Sequence, residues 1–146
     1  MILQNGKLLR EDSPERTEKN ARRWHLNQAA NDQTAYSEDG RMSLEFKVKL
    51  HQKRAPGDLT VAAWVAICEF FGGCAYCGQK IPATSCTLEH VIPVSRGGKT
   101  DVRNVVSSCW RCNKTKYDRD VRRFLGWRAE AFLERHAECT RKVMGE

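Results

Sequence analysis

Two Cys-x-x-Cys pairs constrain this chain more than any other feature: Cys74 with Cys77, and Cys109 with Cys112, separated by the 31 residues 78–108. Two thiols three residues apart in a tight turn can reach one ion. Two such turns complete a tetrahedral thiolate shell with bonds of about 2.3 Å. A shell filled by four protein ligands has no open position, so a zinc ion held there is structural, and binding it contributes to folding. It ties together the two flanks of the intervening segment. Gly78, after the first pair, suits such a turn. The competing reading is a redox-active pair, but redox pairs seldom come as two turns around a hairpin. The N-terminus "MILQNGKLLRED" has neither a long apolar run nor a small-residue cleavage site, so the cysteines read as reduced and metal-binding, in a cytoplasmic setting, and not as disulfides. The other three are scattered: Cys68 reads as a core residue, and Cys86 and Cys139 as bystanders.

Between the pairs, "TLEHVIPVSRGG" (87–98) reads as a strand running into a glycine turn, and "VRNVVSSC" (102–109) as a return strand. "CWRCNKTKYDRDVRRFLGW" (109–127) then opens a basic helix. Upstream, Thr60 can cap a helix whose stripe is Trp64, Ile67, Cys68 and Phe71, ended by Gly72-Gly73. "MSLEFKVKL" (42–50) fits a strand by alternation and a helix by its i, i+4 pairs, and "HQKRAPGD" (51–58) reads as a basic linker. Residues 1–13 read as frayed. Ser13 and Pro14 can start a helix to about Ala30, "SEDGR" (37–41) reads as a turn, and a last amphipathic helix spans about 128–143. The organisation expected is a basic, mainly helical arm over 1–55, a core over 56–127 and a C-terminal helix over 128–146.

The net charge of +7 is concentrated. Residues 96–123 hold nine Lys/Arg against Asp101, Asp118 and Asp120, which leaves +6 within that window. Such a window suits a polyanion, nucleic acid first, although a solvated helix face is the plain alternative. No apolar run reaches the roughly 20 residues of a membrane span. The absence of an aromatic stacking motif favours duplex DNA over RNA.

Glu89 and His90 stand side by side at a strand end, with Asn104 in the return segment and Asn113 directly after Cys112. A strand directs neighbours to opposite faces unless it bends, and Gly97-Gly98 supplies a loop able to bend back. An acid, an imidazole and an amide can then gather where the strand end meets the helix start. Taken singly these residues say little, since an asparagine after a turn is often only a helix cap.

Together, "LEHVIPVSRGG", "NVV" and "CWRCNKTK" resemble the HNH endonuclease family, the ββα-metal nucleases, and "CAYCG" with "CWRC" resembles its zinc-stapled, phage- and prophage-like branch. The resemblance covers roughly residues 56–127. It implies an α+β fold, a zinc-stapled ββα core with flanking helices. It further implies that His90 is the general base, that Asn104 orders the loop, and that Glu89 and Asn113 ligate a catalytic divalent ion. Glu89 stands where Asp is more usual, and Asn113 stands at the family's final His position, so the chain reads H-N-N. The expected activity is metal-dependent hydrolysis of DNA phosphodiesters by one ion, Mg²⁺ or another such as Mn²⁺ or Ni²⁺. Arg96, Lys99, Lys114 and Lys116 are expected on the phosphates. The chemistry suits the residue types: a neutral imidazole takes a proton from water near neutral pH, and a hard ion prefers oxygen donors. Two other readings share the sequence: a non-catalytic zinc-knuckle DNA-binding module, and an accessory subunit of a phage packaging complex with phage protein partners.

Overall fold

A computed structural model describes residues 2–4, 7–9 and 42–145. Two compact units are distinguished, Met1–Gln33 and Thr34–Glu146. In the first, β1 (Ile2–Gln4) pairs antiparallel with β2 (Lys7–Leu9), Leu3 opposite Leu8, where a frayed end was expected. The expected helix from Pro14 to about Ala30 and the turn at 37–41 lie outside the described residues.

The second unit opens with α1 (Leu44–Arg54). The Ser43 hydroxyl accepts from the Phe46 amide at 3.1 Å, and Phe46, Val48 and Leu50 are buried. This cap settles the ambiguous segment as helix. The helix continues through Arg54, so the first half of the expected linker is helical, and Ala55 closes it by donating to the His51 carbonyl at 2.9 Å. In α2 (Val61–Phe71) the Thr60 hydroxyl caps the Ala63 amide at 3.1 Å, and Gly72 terminates the helix in the left-handed region at φ +66°. Its stripe of Trp64, Ile67, Cys68 and Phe71 is buried as the sequence suggests. It faces a core containing Leu88, Val105, Val106, Phe132 and Cys139. Burying a side chain the size of Ile67 stabilises the fold by roughly 1.5–3 kcal/mol.

Strand β3 (Thr87–His90) pairs antiparallel with β4 (Val105–Ser108), placing Glu89 opposite Val106 and His90 opposite Val105. Helix α3 (Trp110–Lys116) follows at once, giving a ββα segment within an α+β fold. The single basic helix expected over 109–127 is two helices. Tyr117 takes a left-handed φ of +52°, and the Asp120 carboxylate caps the Arg123 amide at 3.0 Å to start α4 (Val121–Leu125). A 3₁₀ turn (Gly126–Arg128) leads into α5 (Ala129–Val143), which packs on α2. Among the described residues, no helix is long and apolar enough to cross a membrane.

Candidate active site and metal centre

The sulfurs of Cys74, Cys77, Cys109 and Cys112 all lie within 4.8 Å of one another. The Cys77 and Cys109 sulfurs are 3.8 Å apart. A tetrahedron with bonds of about 2.3 Å has edges of about 3.8 Å, so the donors fit one zinc-sized ion. Each pair is a knuckle: the Cys77 amide points at the Cys74 sulfur at 3.4 Å, and the Cys112 amide at the Cys109 sulfur at 3.3 Å. Burial first, then the Cys109 thiol and the charge of Cys74, holds the Cys112 thiol well above its ordinary value. Four thiolates gathered this closely therefore call for a cation. The knuckles are laced to the sheet, since Ala75 donates to the Ser107 carbonyl at 2.9 Å and the Ser107 hydroxyl to the Gly73 carbonyl at 2.6 Å.

Asn104 closes the loop between the strands. Its Oδ1 accepts from the Ile92 amide at 2.8 Å, and its Nδ2 donates to the Ile92 and Lys99 carbonyls at 3.1 and 3.0 Å. Gly98 sits inside this clamp, where a Cβ would fall on the Ile92 carbonyl. The Val91 amide adds a bond to the Asn104 carbonyl at 2.8 Å. His90, one residue before, thus ends a strand whose continuation is pinned.

Glu89 and His90, neighbours on β3, take separate hydrogen-bond partners. The Glu89 carboxylate accepts from the Tyr76 hydroxyl and lies 3.5 Å from Lys116 Nζ. It is 5% exposed. Burial raises its pKa to about 7, outweighing the pull of Lys116 and Tyr76 in the other direction. Lys116 is 0% exposed and also donates to the His90 carbonyl at 3.1 Å. Lys116, expected on the phosphates, is buried here, and its ammonium fastens α3 to β3. Asn113, half-buried, lies one turn before Lys116 on α3, a spacing that places it on the same helix face. Glu89 and Asn113 are oxygen donors of the type a hard divalent ion prefers.

The His90 ring has partners of its own. Its Nε2 lies 3.0 Å from the Thr100 hydroxyl, and its ring centroid is 5.4 Å from that of His51. Burial first, then Arg54 and Lys116, lowers its pKa to about 4, so the imidazole is neutral near physiological pH. His51, which the sequence offers only as a surface or partly packed residue, stands half-buried beside His90. His136 is buried and stacked on Phe132. Tyr76, Thr100 and His51 escaped the sequence reading.

The basic residues differ in their freedom. Lys99 is exposed, Arg96 is exposed with its Nε donating to the Asp118 carbonyl at 2.8 Å, and Lys114 lies 4.4 Å over the Trp110 ring. Trp110, Tyr117 and Trp127 are exposed, so surface aromatics are present where the sequence reading found no stacking motif.

Residues 74–119 match the family model for the HNH endonuclease. Over 44 residues, 30% of this chain and 4% of the relative, the chain is 41% identical to the CRISPR-associated endonuclease Cas9 of Corynebacterium diphtheriae. Over 105 residues, 70% of this chain and 8% of the relative, it is 32% identical to the CRISPR-associated endonuclease Cas9 of Actinomyces naeslundii. The chain thus spans less than about a tenth of the length of these curated relatives. No solved structure matches the chain significantly.

Proposed function

We propose, from the HNH endonuclease domain at residues 74–119, that this chain hydrolyses phosphodiester bonds in duplex DNA with His90 as general base. The observation that carries the reading is the His90 side chain: neutral at physiological pH, backed by Thr100, and ending a strand whose next turn Asn104 clamps. A neutral imidazole so held can take the proton of an attacking water, a contribution of about 10²–10⁴ in rate. Asn104 keeps the loop in register and thereby the histidine. Glu89 and Asn113 would hold the catalytic divalent ion, Mg²⁺ being one candidate and Mn²⁺ and Ni²⁺ others. Such an ion supplies Lewis-acid stabilisation of charge at the phosphate. Lys116 and Tyr76 fix the Glu89 carboxylate from behind. Zinc at Cys74, Cys77, Cys109 and Cys112 would act only on the fold.

Arg96, Lys99 and Lys114 are the basic residues proposed to meet the DNA backbone, positioning it without reading sequence. The nuclease core is proposed at 56–127, with α1 supporting His90 from behind, 128–146 as a C-terminal helix and the rest of 1–55 as an arm. The test is cleavage of supercoiled plasmid by the purified chain. Activity should vanish with EDTA and return with Mg²⁺, Mn²⁺ or Ni²⁺. Cleavage untouched by chelation would refute the metal-dependent reading.

A further inference from the structure

The Thr100 hydroxyl carries one hydrogen and has two neighbours. One is the His51 carbonyl at 3.0 Å, which can only accept; the other is His90 Nε2, also at 3.0 Å. Only one assignment makes both contacts hydrogen bonds. Thr100 donates to His51, and its oxygen accepts from a protonated Nε2. The reverse assignment, with Thr100 donating to Nε2, leaves two oxygens facing each other at 3.0 Å without a proton between them. Thr100 is 0% exposed, and a lost or opposed hydrogen bond in a buried place is costly.

The hydroxyl is held in place by its own backbone. Thr100 N donates to the Ala55 carbonyl at 2.9 Å, and Thr100 O accepts from Leu59 N at 3.0 Å and Gln52 Nε2 at 3.2 Å. Next to it, Asp101 Oδ1 accepts from Asp58 N at 2.8 Å, and Asp58 Oδ1 from Val102 N at 2.8 Å. Gly57 is needed at this crossing, because a Cβ would strike the Thr100 carbonyl and the Asp101 carboxylate. The end of α1 and the 55–59 segment therefore set where the hydroxyl sits relative to the imidazole. Among the described residues His90 Nδ1 has no hydrogen-bond partner, and it is not among the buried atoms lacking one.

We infer that Thr100 is a positioning residue: through the His51 carbonyl it holds His90 with the proton on Nε2, leaving Nδ1 as the atom that accepts the proton from water. The inference rests on the proposed role of His90 as base, and it adds which ring nitrogen is used and what selects it. A base in the wrong tautomer has no lone pair where the water must be, however well the ring is placed.

Thr100→Val keeps the shape and removes the hydroxyl, whereas Thr100→Ser keeps the hydroxyl. Nitrogen-15 spectra of histidine-labelled protein at neutral pH report which ring nitrogen carries the proton, with His90→Ala identifying the His90 signals. Wild type should show protonated Nε2. Thr100→Val should shift His90 toward the other tautomer and slow single-turnover cleavage by about 10²-fold, the scale of a misplaced catalytic group, with KM unchanged. Thr100→Ser should restore both. Protonated Nδ1 in wild type would overturn the inference. So would Thr100→Val with wild-type tautomer and rate, or Thr100→Ser as impaired as Thr100→Val. If wild type does not cleave at all, the nuclease reading fails, while the spectra still decide the Thr100 assignment.

Discussion

Replacing Lys116 by methionine removes an ammonium while keeping much of its volume. Two interactions go with it. The charged hydrogen bond to the His90 carbonyl contributes about 1.5–3 kcal/mol. The ion pair partner of a buried Glu89 is also lost, which costs about 3–5 kcal/mol if the carboxylate must stay ionised. Glu89 can escape part of that cost by protonating, since burial already raises its pKa from 4.5 to about 7. A carboxyl whose folded pKa lies above its unfolded value weakens the fold as pH rises from the lower value through the higher one. Removing Lys116 pushes the folded value up further, so the decline continues to higher pH. Near pH 6 both proteins hold Glu89 largely protonated and the difference should be about 2 kcal/mol. Above about pH 7 the gap should widen by at most about 1.4 kcal/mol per pH unit, reaching about 3 kcal/mol near pH 8. That corresponds to a Tm lowered by roughly 10 °C. Urea unfolding of zinc-supplied protein at both pH values measures it. The Glu89→Gln/Lys116→Met double variant should recover part of the loss and most of the pH dependence. Lys116→Met within about 0.5 kcal/mol of wild type at both pH values, with DNA binding uniformly weakened instead, would refute the burial argument and return Lys116 to the phosphates.

Cys109→Ser should abolish cooperative folding, and elemental analysis of the wild type should give about one zinc per chain; an active, folded, zinc-free preparation would contradict the structural role. With divalent ion saturating, so that Glu89 stays ionised and loaded, the cleavage rate should stay level as pH falls past the ordinary histidine range and drop only toward about 4, because burial depresses the His90 pKa and the base is lost only once it is protonated; with ion limiting, the fall should come earlier, as the Glu89 carboxylate protonates near about 7. A break near the unperturbed value of about 6.5 that further ion does not move would contradict the depressed pKa.

The metal knuckles and α2 were legible because their signals are local. A three-residue spacing puts two sulfurs on one turn, and Thr60 and Gly72 bound a stripe of four apolar residues. The ββα order followed from two short apolar stretches either side of the glycine turn and the basic helix after them. The burial of Lys116 was hard to read because a run of positive charge looks the same whether it is solvated or pinned. Its position held the answer: Cys109, Cys112, Asn113 and Lys116 fall at i, i+3, i+4 and i+7, so the lysine shares the inward face of the cysteine ligands. The break at Tyr117 was signalled only by Asp120, a cap residue hidden in "YDRD". Thr100, His51 and Tyr76 carried no local signal. Thr100 meets the His51 carbonyl across 49 residues, and Tyr76 meets Glu89 across 13, so their roles exist only after the chain has folded.

The central claim is that His90 performs the chemistry and does not merely support a DNA-binding fold. Single-turnover plasmid cleavage by His90→Ala, alongside its zinc content and duplex affinity, tests it most directly. The account predicts cleavage lowered by about 10²–10⁴ with zinc and affinity nearly unchanged, since the imidazole is neither one of the four sulfur donors nor a phosphate contact. Equal cleavage by His90→Ala and wild type, with contaminating nuclease excluded, would contradict it and leave a zinc-stapled DNA-binding module.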